Sequence, residues 1–323
     1  MEDIYALGNS KFGEPVAESS TEIKYECPEC GHKSLALTIE NGLYYCFVCY
    51  FGRGKQSLYG SDHKLVKAYV NDDIHLQVCQ FCVDTFPLLS HTYQYLTEER
   101  GLLDPYSFGL RTVPLDADVK LKEAFTEEEL QDSGFFRAHR TKGYTCWPCL
   151  KFNRILIPIY NEDTLIGVKT RRDPRLDAVD PYKYALPTGS SFNNVGYLPT
   201  DSKDLIITEG EIKGFSSYQY GYSTLFSSGI NGAPYLIKFL RSNPRKFDRH
   251  FVLFDNDGLR EDGTQKMEAI TLANQIEKAI PNTVAVWLPK DKADQKAELD
   301  TFLKLNSLNE FDQLLEDTWY GKS

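Results

Sequence analysis

The stretch LIITEGEIKG, residues 205–214, predicts a buried β-strand that ends at a pair of carboxylates and leads into a helix. Residues 250–258, HFVLFDNDG, have the same form, because an apolar run again leads directly into two carboxylates. A third apolar run, TVAVWL at 283–288, precedes a polar loop that ends in two more. The carboxylates concerned are Glu209 and Glu211, Asp255 and Asp257, and Glu298 and Asp300. Helical spacing of apolar residues between these runs predicts strands alternating with helices, which is typical of a mostly parallel sheet.

Carboxylates that follow the strands of such a sheet are expected to meet, because functional residues collect beyond the carboxyl ends of the strands. Several carboxylates close together repel one another and are stable mainly when a cation neutralises them. Oxygen ligands favour Mg²⁺ or Mn²⁺, ions that polarise phosphoryl groups and activate an attacking hydroxyl. The alternative is that acidic residues simply begin the loops. It is adequate for one strand, but weaker for two acidic motifs that begin 46 residues apart.

The cysteines form a second pattern, because all eight fall in C-x2-C pairs, the spacing that places two thiolates on one tetrahedral ion. The pairs are Cys27/Cys30, Cys46/Cys49, Cys79/Cys82 and Cys146/Cys149. Strands predicted around 23–27, 34–40 and 42–46, with an Asn41-Gly42 turn, indicate a zinc ribbon built on the first two pairs. We expect one zinc ion there and a second on the last four cysteines, for which buried thiols without metal are the alternative.

The rest of the chain is distinguished by composition and charge. Residues 1–22 are polar and predict a loose arm. Residues 64–134 are predicted to be mostly helical, and residues 152–170 to form two strands joined by a polar turn at 161–163. The net charge of −10 argues mildly against nucleic-acid binding, but residues 137–183 hold ten Lys and Arg against five Asp and Glu. Local charge decides binding, so this basic middle is a candidate nucleic-acid surface.

The bulk composition predicts an ordinary soluble protein of two or three domains, with 323 residues, 41% of them hydrophobic and 25% charged. The start, MEDIYALGNS, has no basic segment followed by an apolar run, so we expect no secretory leader. No uninterrupted apolar stretch approaches the length of about eighteen residues that spans a membrane. A cytoplasmic location follows, where disulfides rarely persist and paired cysteines indicate metal ligands.

The acidic pattern resembles a Toprim domain, which occurs in primases, topoisomerases, some nucleases and a recombination scaffold. The likeness rests on the order strand, EGE and helix, a Ser228-Gly229 turn after the next strand, and then strand, DxD and glycine. It implies that Glu209 is the glutamate of the family. It also implies that Asp255 and Asp257 are the metal-binding pair.

The remaining acidic positions are weaker matches to that family. Glu298 and Asp300 are similar to its late acidic motif, with Asp294 as the fallback for this role. Glu211, the second acid of EGE, is a further catalytic candidate. One departure is Lys213, which stands four residues after the first glutamate, where primases often have an acid.

The basic middle resembles the amino-terminal half of the polymerase domain in bacterial and phage DNA primases. There a strand pair ends in a basic residue and a Lys-Tyr dipeptide follows, as in residues 152–172, FNRILIPIYNEDTLIGVKTRR, followed by YKYALP and VGYLP. YLTEERGL at 95–102 and DSGFF at 132–136 resemble the helical segments before it. With the ribbon, the likeness extends over roughly residues 23–305. The chain is therefore similar to a phage-type DNA primase of the bacterial replicative primase family.

This resemblance implies an α/β fold with an N-terminal four-cysteine zinc ribbon, then an RNA polymerase domain with a mixed α+β basic half and a Toprim α/β half. The implied domains are 1–60 (arm and template-binding ribbon), 61–200 (basic half), 201–305 (Toprim) and 306–323 (C-terminal helix or tail). The implied activity is synthesis of short RNA primers from NTPs on single-stranded DNA, with Zn²⁺ and Mg²⁺ or Mn²⁺ as cofactors, in the host cytoplasm if the chain is phage-encoded. Candidate cations for the triphosphates and the RNA–DNA hybrid are Arg154, Lys169, Arg171, Arg172 and Lys183.

Two alternatives to a primase remain at this point, one enzymatic and one not. A Toprim topoisomerase or nuclease would share the acidic motifs, although a topoisomerase usually has its Toprim domain early in the chain. A non-catalytic recombination scaffold would share the zinc site and the Toprim domain, but such chains are shorter and lack the basic middle. The sequence has no G-x4-G-K-[ST] loop. We therefore expect a separate replicative helicase as partner, unless the chain is a fragment of a primase-helicase.

Overall fold

The computed structural model describes residues 4–19, 22–29, 31–39, 42–46, 58, 72–139, 143–146, 150–176, 183–187, 195–229, 232–243, 247–256, 267–289 and 297–321, without the side chains of 137–139, 143–146 and 233. Two compact units make up the chain, residues 1–69 and residues 70–323. None of the helices in these described ranges is long and apolar enough to cross a membrane.

The first unit is a small antiparallel sheet with a helix packed on it. Its strands, β1 (Ala17–Glu18), β2 (Glu22–Tyr25), β3 (Leu35–Thr38) and β4 (Tyr44–Cys46), pair in chain order. Gly42, at φ 64°, and its N–H, which donates to the Thr38 carbonyl at 2.9 Å, turn the chain between β3 and β4. The predicted ribbon hairpin is therefore confirmed, although Asn41 itself lies outside the described residues.

A helix, α1 (Ile4–Phe12), shows that the prediction of a loose arm over residues 1–22 was wrong. Ile4 lies in the apolar core of the unit beside Tyr25. Gly8 permits the close approach, because a side chain at this position would clash with the Tyr25 ring. A sheet this small buries little apolar surface of its own, so the segment becomes helical through tertiary contacts rather than through its own apolar pattern.

The second unit begins with the helical segment that the sequence predicts. Its elements are α2 (Asp72–Thr85), α3 (Ser90–Gln94), a π-helical turn (Tyr95–Glu99), α4 (Ala117–Ala124) and α5 (Glu127–Asp132). Helix α5 begins at a capping box in which Thr126 and Glu129 bond reciprocally to each other's backbone N–H. A hairpin of β6 (Phe136–His139) and β7 (Gly143–Cys146) follows.

Within the described residues, the large sheet of this unit has nine strands. They are β5 (Arg111–Thr112), β8 (Ile155–Asn161), β9 (Thr164–Arg171), β10 (Tyr184–Ala185), β11 (Val195–Leu198), β12 (Asp204–Glu209), β13 (Ser223–Ser227), β14 (Arg249–Leu253) and β15 (Thr283–Ala285). Their order is β10-β9-β8-β11-β13-β12-β14-β15, and β5 pairs with β8. Strands β8 and β9 are antiparallel with a turn at Glu162, where φ is 56°, which confirms the predicted strand pair.

Strands β13, β12, β14 and β15 pair in parallel, as the alternating pattern predicts. The helices of this half are α6 (Glu211–Gln219), α7 (Ala233–Ser242), α8 (Glu268–Ala279), α9 (Leu299–Leu305) and α10 (Leu308–Gly321). Leu205 and Ile207 of β12 pack with α7 and α8, whereas Ile206 packs on the opposite face with α9 and α10. The alternation of β12 thus buries both faces of the sheet.

The two halves of the second unit share a hydrophobic core. Ile157 and Ile159 of β8 pack in one cluster with Phe215 of α6 and Phe226 of β13. The rings of Phe215 and Phe226 lie 5.8 Å apart between centroids in an edge-to-face arrangement. The basic strand pair and the parallel strands are therefore held as one body, and the side chains at their edges can form a single site.

Candidate active site

A cleft lies at the carboxyl ends of β12 and β14. The register pairs Thr208 with Leu253, so Glu209, the last residue of β12, and Asp255, two residues after β14, lie at the same edge of the sheet. Gly210 turns the chain from β12 into α6 at φ 83°, a conformation that glycine adopts without strain. The sequence prediction that these two carboxylates meet agrees with this placement, whereas Asp257 and Asp294 lie outside the described residues.

The cleft has a volume of about 180 Å³ and is lined by charges of both signs. The acidic side chains in its described lining are Glu209, Glu211, Asp255 and Glu298, and the basic ones are Arg100, Arg171, Lys183 and Lys213. A larger cavity of about 740 Å³ lies at the opposite, amino ends of the strands, beside Leu205 and His250. It contains none of the described residues predicted to be functional, so its size does not mark the site.

Lys213, in the first turn of α6, joins the two central carboxylates. Its ammonium forms an ion pair with Asp255 and lies 3.5 Å from Glu209 Oε1. The side chains are 10%, 4% and 13% exposed for Lys213, Asp255 and Glu209, so this contact is largely shielded from water. A cation does neutralise these carboxylates, as the sequence requires, and in this structure it belongs to the protein.

Glu211 and Lys169, both predicted to be functional, form a buried ion pair with each other. The Ser228 hydroxyl donates to Glu211 Oε1 at 2.8 Å, and Lys169 Nζ donates to the Ser228 carbonyl at 3.1 Å. The Lys169 ammonium also lies 4.4 Å from the centre of the Tyr184 ring. These contacts tie β9 to the start of α6 and to the residue that follows β13, so the pair holds together the walls of the cleft.

Arg100, which follows the π-helical turn, contacts the late acidic motif. It donates to Glu298 Oε2 at 2.9 Å and forms an ion pair with the buried carboxylate of Asp300. Burial lowers the pKa of the Arg100 guanidinium. The negative charges of Asp300 and Glu298 together have the larger effect and raise this pKa. Burial also raises the pKa of the Asp300 carboxyl, and the positive charge of Arg100 reduces this rise. Sequence reasoning did not name Arg100, although it lies within the segment YLTEERGL.

The predicted phosphate-binding cations separate into two groups. Arg171 and Lys183 line the cleft, and each lies against the Tyr184 ring, at 5.8 Å and 5.5 Å from its centre. Arg154 is 2% exposed, and its Nε donates to Thr170 Oγ1 at 2.9 Å. Arg172 is half-buried beside β10, and its backbone N–H donates to the Lys183 carbonyl at 2.9 Å. Of the five predicted cations, Arg171 and Lys183 are therefore the ones that line the cleft.

The donor set at the carboxyl ends of β12 and β14 fits a hard divalent cation. Glu209 and Asp255 carry carboxylate oxygens at the same edge of the sheet, and their contacts with the Lys213 ammonium show that positive charge is stable beside them. No sulfur or nitrogen ligand is present among the described residues that line the cleft. An oxygen-only site of this kind suits Mg²⁺ or Mn²⁺.

The two ribbon cysteines that the structure describes, Cys27 and Cys46, belong to the buried cluster of the first unit. Tyr25, Leu35 and Cys46 are in register across the first sheet, and Cys27 follows β2 by two residues. The turn after Cys27 is closed by its own carbonyl, which accepts from the Gly31 N–H at 2.8 Å. Both thiols are buried, which suits a zinc knuckle. Cys30 and Cys49 lie outside the described residues.

The second cysteine set is only half described. Cys79 and Cys82 lie in α2, fully buried in an apolar cluster, and burial raises the pKa of the Cys79 thiol. Cys146 ends β7 opposite Phe136, but its side chain, like all of Cys149, is not described. The described residues contain no group of three or more His, Cys, Asp or Glu side chains arranged to hold a metal ion.

Neither protein-family models nor curated proteins match this chain. Among solved structures it is similar to the zinc-binding and RNA polymerase domains of the Aquifex aeolicus primase, at 18% identity and a TM-score of 0.56, over 98% of this chain and 83% of that one. It is also similar to the RNA polymerase domain of the Mycobacterium tuberculosis primase DnaG, crystallised with a double-stranded DNA oligomer with a 6-nucleotide overhang. That match has 18% identity and a TM-score of 0.51, over 78% of this chain and 83% of that one.

These matches define the fold of the chain. It is the α/β fold of a primase zinc-binding domain followed by a primase RNA polymerase domain, which confirms the predicted fold class. At 18% identity the likeness extends to the fold and not to the roles of individual side chains.

Proposed function

We propose that this protein is a DNA primase, which synthesises short RNA primers from NTPs on single-stranded DNA. The proposal rests on the cleft, which is lined by the carboxylates of Glu209 and Asp255 and by the cations Arg171 and Lys183. Carboxylates that suit a divalent ion, facing cations that suit phosphates, are what nucleotidyl transfer needs. The primase fold around them makes primer synthesis the activity that this arrangement supports best.

The reaction joins the 3′-hydroxyl of one ribonucleotide to the α-phosphate of an incoming NTP and releases pyrophosphate. Glu209 and Asp255, with Asp257, would hold Mg²⁺ or Mn²⁺, which polarises the phosphate and lowers the pKa of the attacking hydroxyl. Arg171 and Lys183 bind the triphosphate and the backbone of the RNA–DNA hybrid. Lys169 and Glu211 do not contact substrate in this scheme but fix the distance between the basic and the acidic walls. No side chain acts as a nucleophile.

The zinc ribbon, with Cys27, Cys30, Cys46 and Cys49 as ligands, is proposed to choose the start site on the template. A second zinc ion on Cys79, Cys82, Cys146 and Cys149 remains a prediction. One observation supports it, because Phe136, opposite Cys146, and Leu150, beside Cys149, belong to the same apolar cluster as Cys79 and Cys82. Two zinc atoms per purified chain are expected by metal analysis, and one atom would refute the second site.

Primer synthesis is tested by mixing the zinc-loaded chain with a diverse single-stranded DNA library, labelled NTPs and Mg²⁺ or Mn²⁺. Short RNA products that require both template and divalent metal are expected. Relaxation or cleavage of DNA without RNA synthesis would refute the proposal in favour of a Toprim topoisomerase or nuclease. A separate replicative helicase is the proposed partner, and its addition should increase primer yield on duplex substrates.

One observation favours a second candidate, a non-catalytic scaffold that binds DNA. Lys213 already neutralises the carboxylates that a metal ion would use, and a scaffold needs no metal ion there. A scaffold would bind single-stranded DNA through the basic wall but form no primers at any Mg²⁺ or Mn²⁺ concentration. Intact carboxylates at both strand ends favour chemistry over this alternative.

A further inference from the structure

The position of Lys213 has a consequence for the number of metal ions that the site holds. Its ammonium contacts the carboxylates of Glu209 and Asp255, which lie at the carboxyl ends of the neighbouring parallel strands β12 and β14. This is the point at which oxygen ligands from both strands converge, and therefore the point that a divalent ion bridging the two strands would occupy. Here the bridging cation is a side chain of the protein.

The backbone of α6 keeps Lys213 in this position. Glu211, two residues earlier, is held by Lys169 and by the Ser228 hydroxyl at 2.8 Å. Gly214, the next residue, packs so closely against the ring of Phe226 that any side chain there would clash. The first turn of the helix is thus fixed on both sides of Lys213, and its side chain is 10% exposed.

The charge of the cleft is consistent with this assignment. Its described lining holds four acidic and four basic side chains, so the charges balance before any ion binds. Each described acidic side chain has a cation from the protein, because Glu211 pairs with Lys169 and Glu298 with Arg100. Two divalent ions would place four further positive charges beside this balanced set and close to the ammonium, where repulsion is poorly screened. A single divalent ion adds half as much positive charge.

We propose that the Lys213 ammonium is a built-in cation that takes the place of a second divalent ion, so that the site binds one Mg²⁺ or Mn²⁺ per chain. The inference rests on the proposed function in that it concerns the same metal site. Lys213 positions and neutralises the carboxylates of Glu209 and Asp255, and nucleotidyl transfer then uses one metal ion.

Mn²⁺ binding to the zinc-loaded full chain, measured by electron paramagnetic resonance, tests this count without any need for activity. The unaltered chain should bind one Mn²⁺. Lys213→Glu, which replaces the cation with an oxygen ligand, should bind two. Lys213→Met keeps most of the side-chain length but removes the charge, so it should tighten Mn²⁺ binding by about tenfold or more. Lys278→Met, an exposed lysine near the end of α8, is the control and should leave both the affinity and the count unchanged.

The outcomes separate the inference from the proposed function. Two Mn²⁺ ions bound by the unaltered chain would overturn the inference even if primers are made, as would Lys213→Met and Lys213→Glu that bind Mn²⁺ as the unaltered chain does. One Mn²⁺ ion in the unaltered chain and two in Lys213→Glu would support the inference even if no primers form, and only the proposed function would then fail. Circular dichroism of each variant establishes that it is folded, so that loss of binding through unfolding is not counted.

Discussion

The two ends of strands β12 and β14 both carry ion pairs, but of different kinds. At the amino ends, Arg249 Nε and Nη2 donate to both oxygens of Asp204 at 2.8 Å and 2.7 Å, and its Nη1 donates to Glu316 at 2.7 Å. At the carboxyl ends, one ammonium of Lys213 is shared by Glu209 and Asp255. A guanidinium matches a carboxylate with two directed bonds, whereas an ammonium acts as a point charge.

This difference indicates that the amino ends of the two strands serve stability and the carboxyl ends serve chemistry. The Arg249 cluster ties β12, β14 and α10 together, with the polar groups of guanidinium and carboxylate matched to one another. At the Lys213 end, two carboxylates share one cation beside a cleft that also exposes Lys183. An ammonium shared by two carboxylates leaves the order and number of cations open to change, whereas a bidentate pair has a fixed partner.

The largest effect should follow from Asp255→Asn at the carboxyl end of β14. Removing this carboxylate removes a proposed metal ligand, so primer synthesis should fall by about 100-fold or more. Initial rates on single-stranded templates at saturating Mg²⁺ measure it. Asp248→Asn, an exposed aspartate just before the other end of β14, is the control and should retain activity within about twofold. Equal losses in both variants would contradict the assignment of the two ends.

Gly214→Ala should be next, because it changes packing directly behind the acidic site. A methyl group at this position would clash with the ring of Phe226, which Gly196 confines from β11 in the same way. Overpacking of this kind should cost about 1–3 kcal/mol in the free energy of unfolding. Urea denaturation checks the value. Unchanged stability would show that α6 can move away from the sheet.

Arg249→Met should lower stability without affecting chemistry. The guanidinium and its two partners are partly exposed, so the expected loss is about 1–2 kcal/mol in the free energy of unfolding. Primer synthesis should stay within about twofold of the unaltered chain, measured well below the unfolding midpoint. Arg241→Met, an exposed arginine in the last turn of α7, controls for loss of surface charge. A selective loss of activity in Arg249→Met would place function at both ends of the strands.

His250, the second residue of β14, should contribute the smallest effect, a pH dependence of stability. Burial lowers the pKa of its imidazole, and the carbonyls of Asn282 and Pro281 oppose this only in part. The unfolded chain therefore takes up the proton first as the pH falls. The stability of the fold is complete above the unfolded value of about 6.5 and decreases below it.

Urea midpoints measured from about pH 7.5 to about pH 5.5 should decline less steeply in His250→Asn than in the unaltered chain. An identical decline in the two proteins would show that other groups control stability in this range. Activity at neutral pH should be the same in both, because the residue lies at the end of the strand that the cleft does not reach.

Much of the fold was predictable because its signals are local. The apolar runs of β12, β14 and β15, the turn at Glu162 and the hairpin at Gly42 depend on residues adjacent in sequence, and all are confirmed. Helix α1 was missed because it forms through contacts with Tyr25 and the rest of the small sheet rather than through its own pattern. Helix α7 was not predicted at all, although it covers one face of β12.

The sequence by itself determined that carboxylates follow strands of a parallel sheet, and parallel register then requires Glu209 and Asp255 to meet. It also determined the paired cysteines and the basic middle. Only the tertiary structure decided which cation each carboxylate receives because, apart from Glu209 with Lys213, these pairs join residues far apart in the chain. Arg100 and Glu298 are 198 positions apart, and no local pattern connects them. For the same reason, only the structure shows that Lys213, a departure from the expected acid, holds the centre of the site.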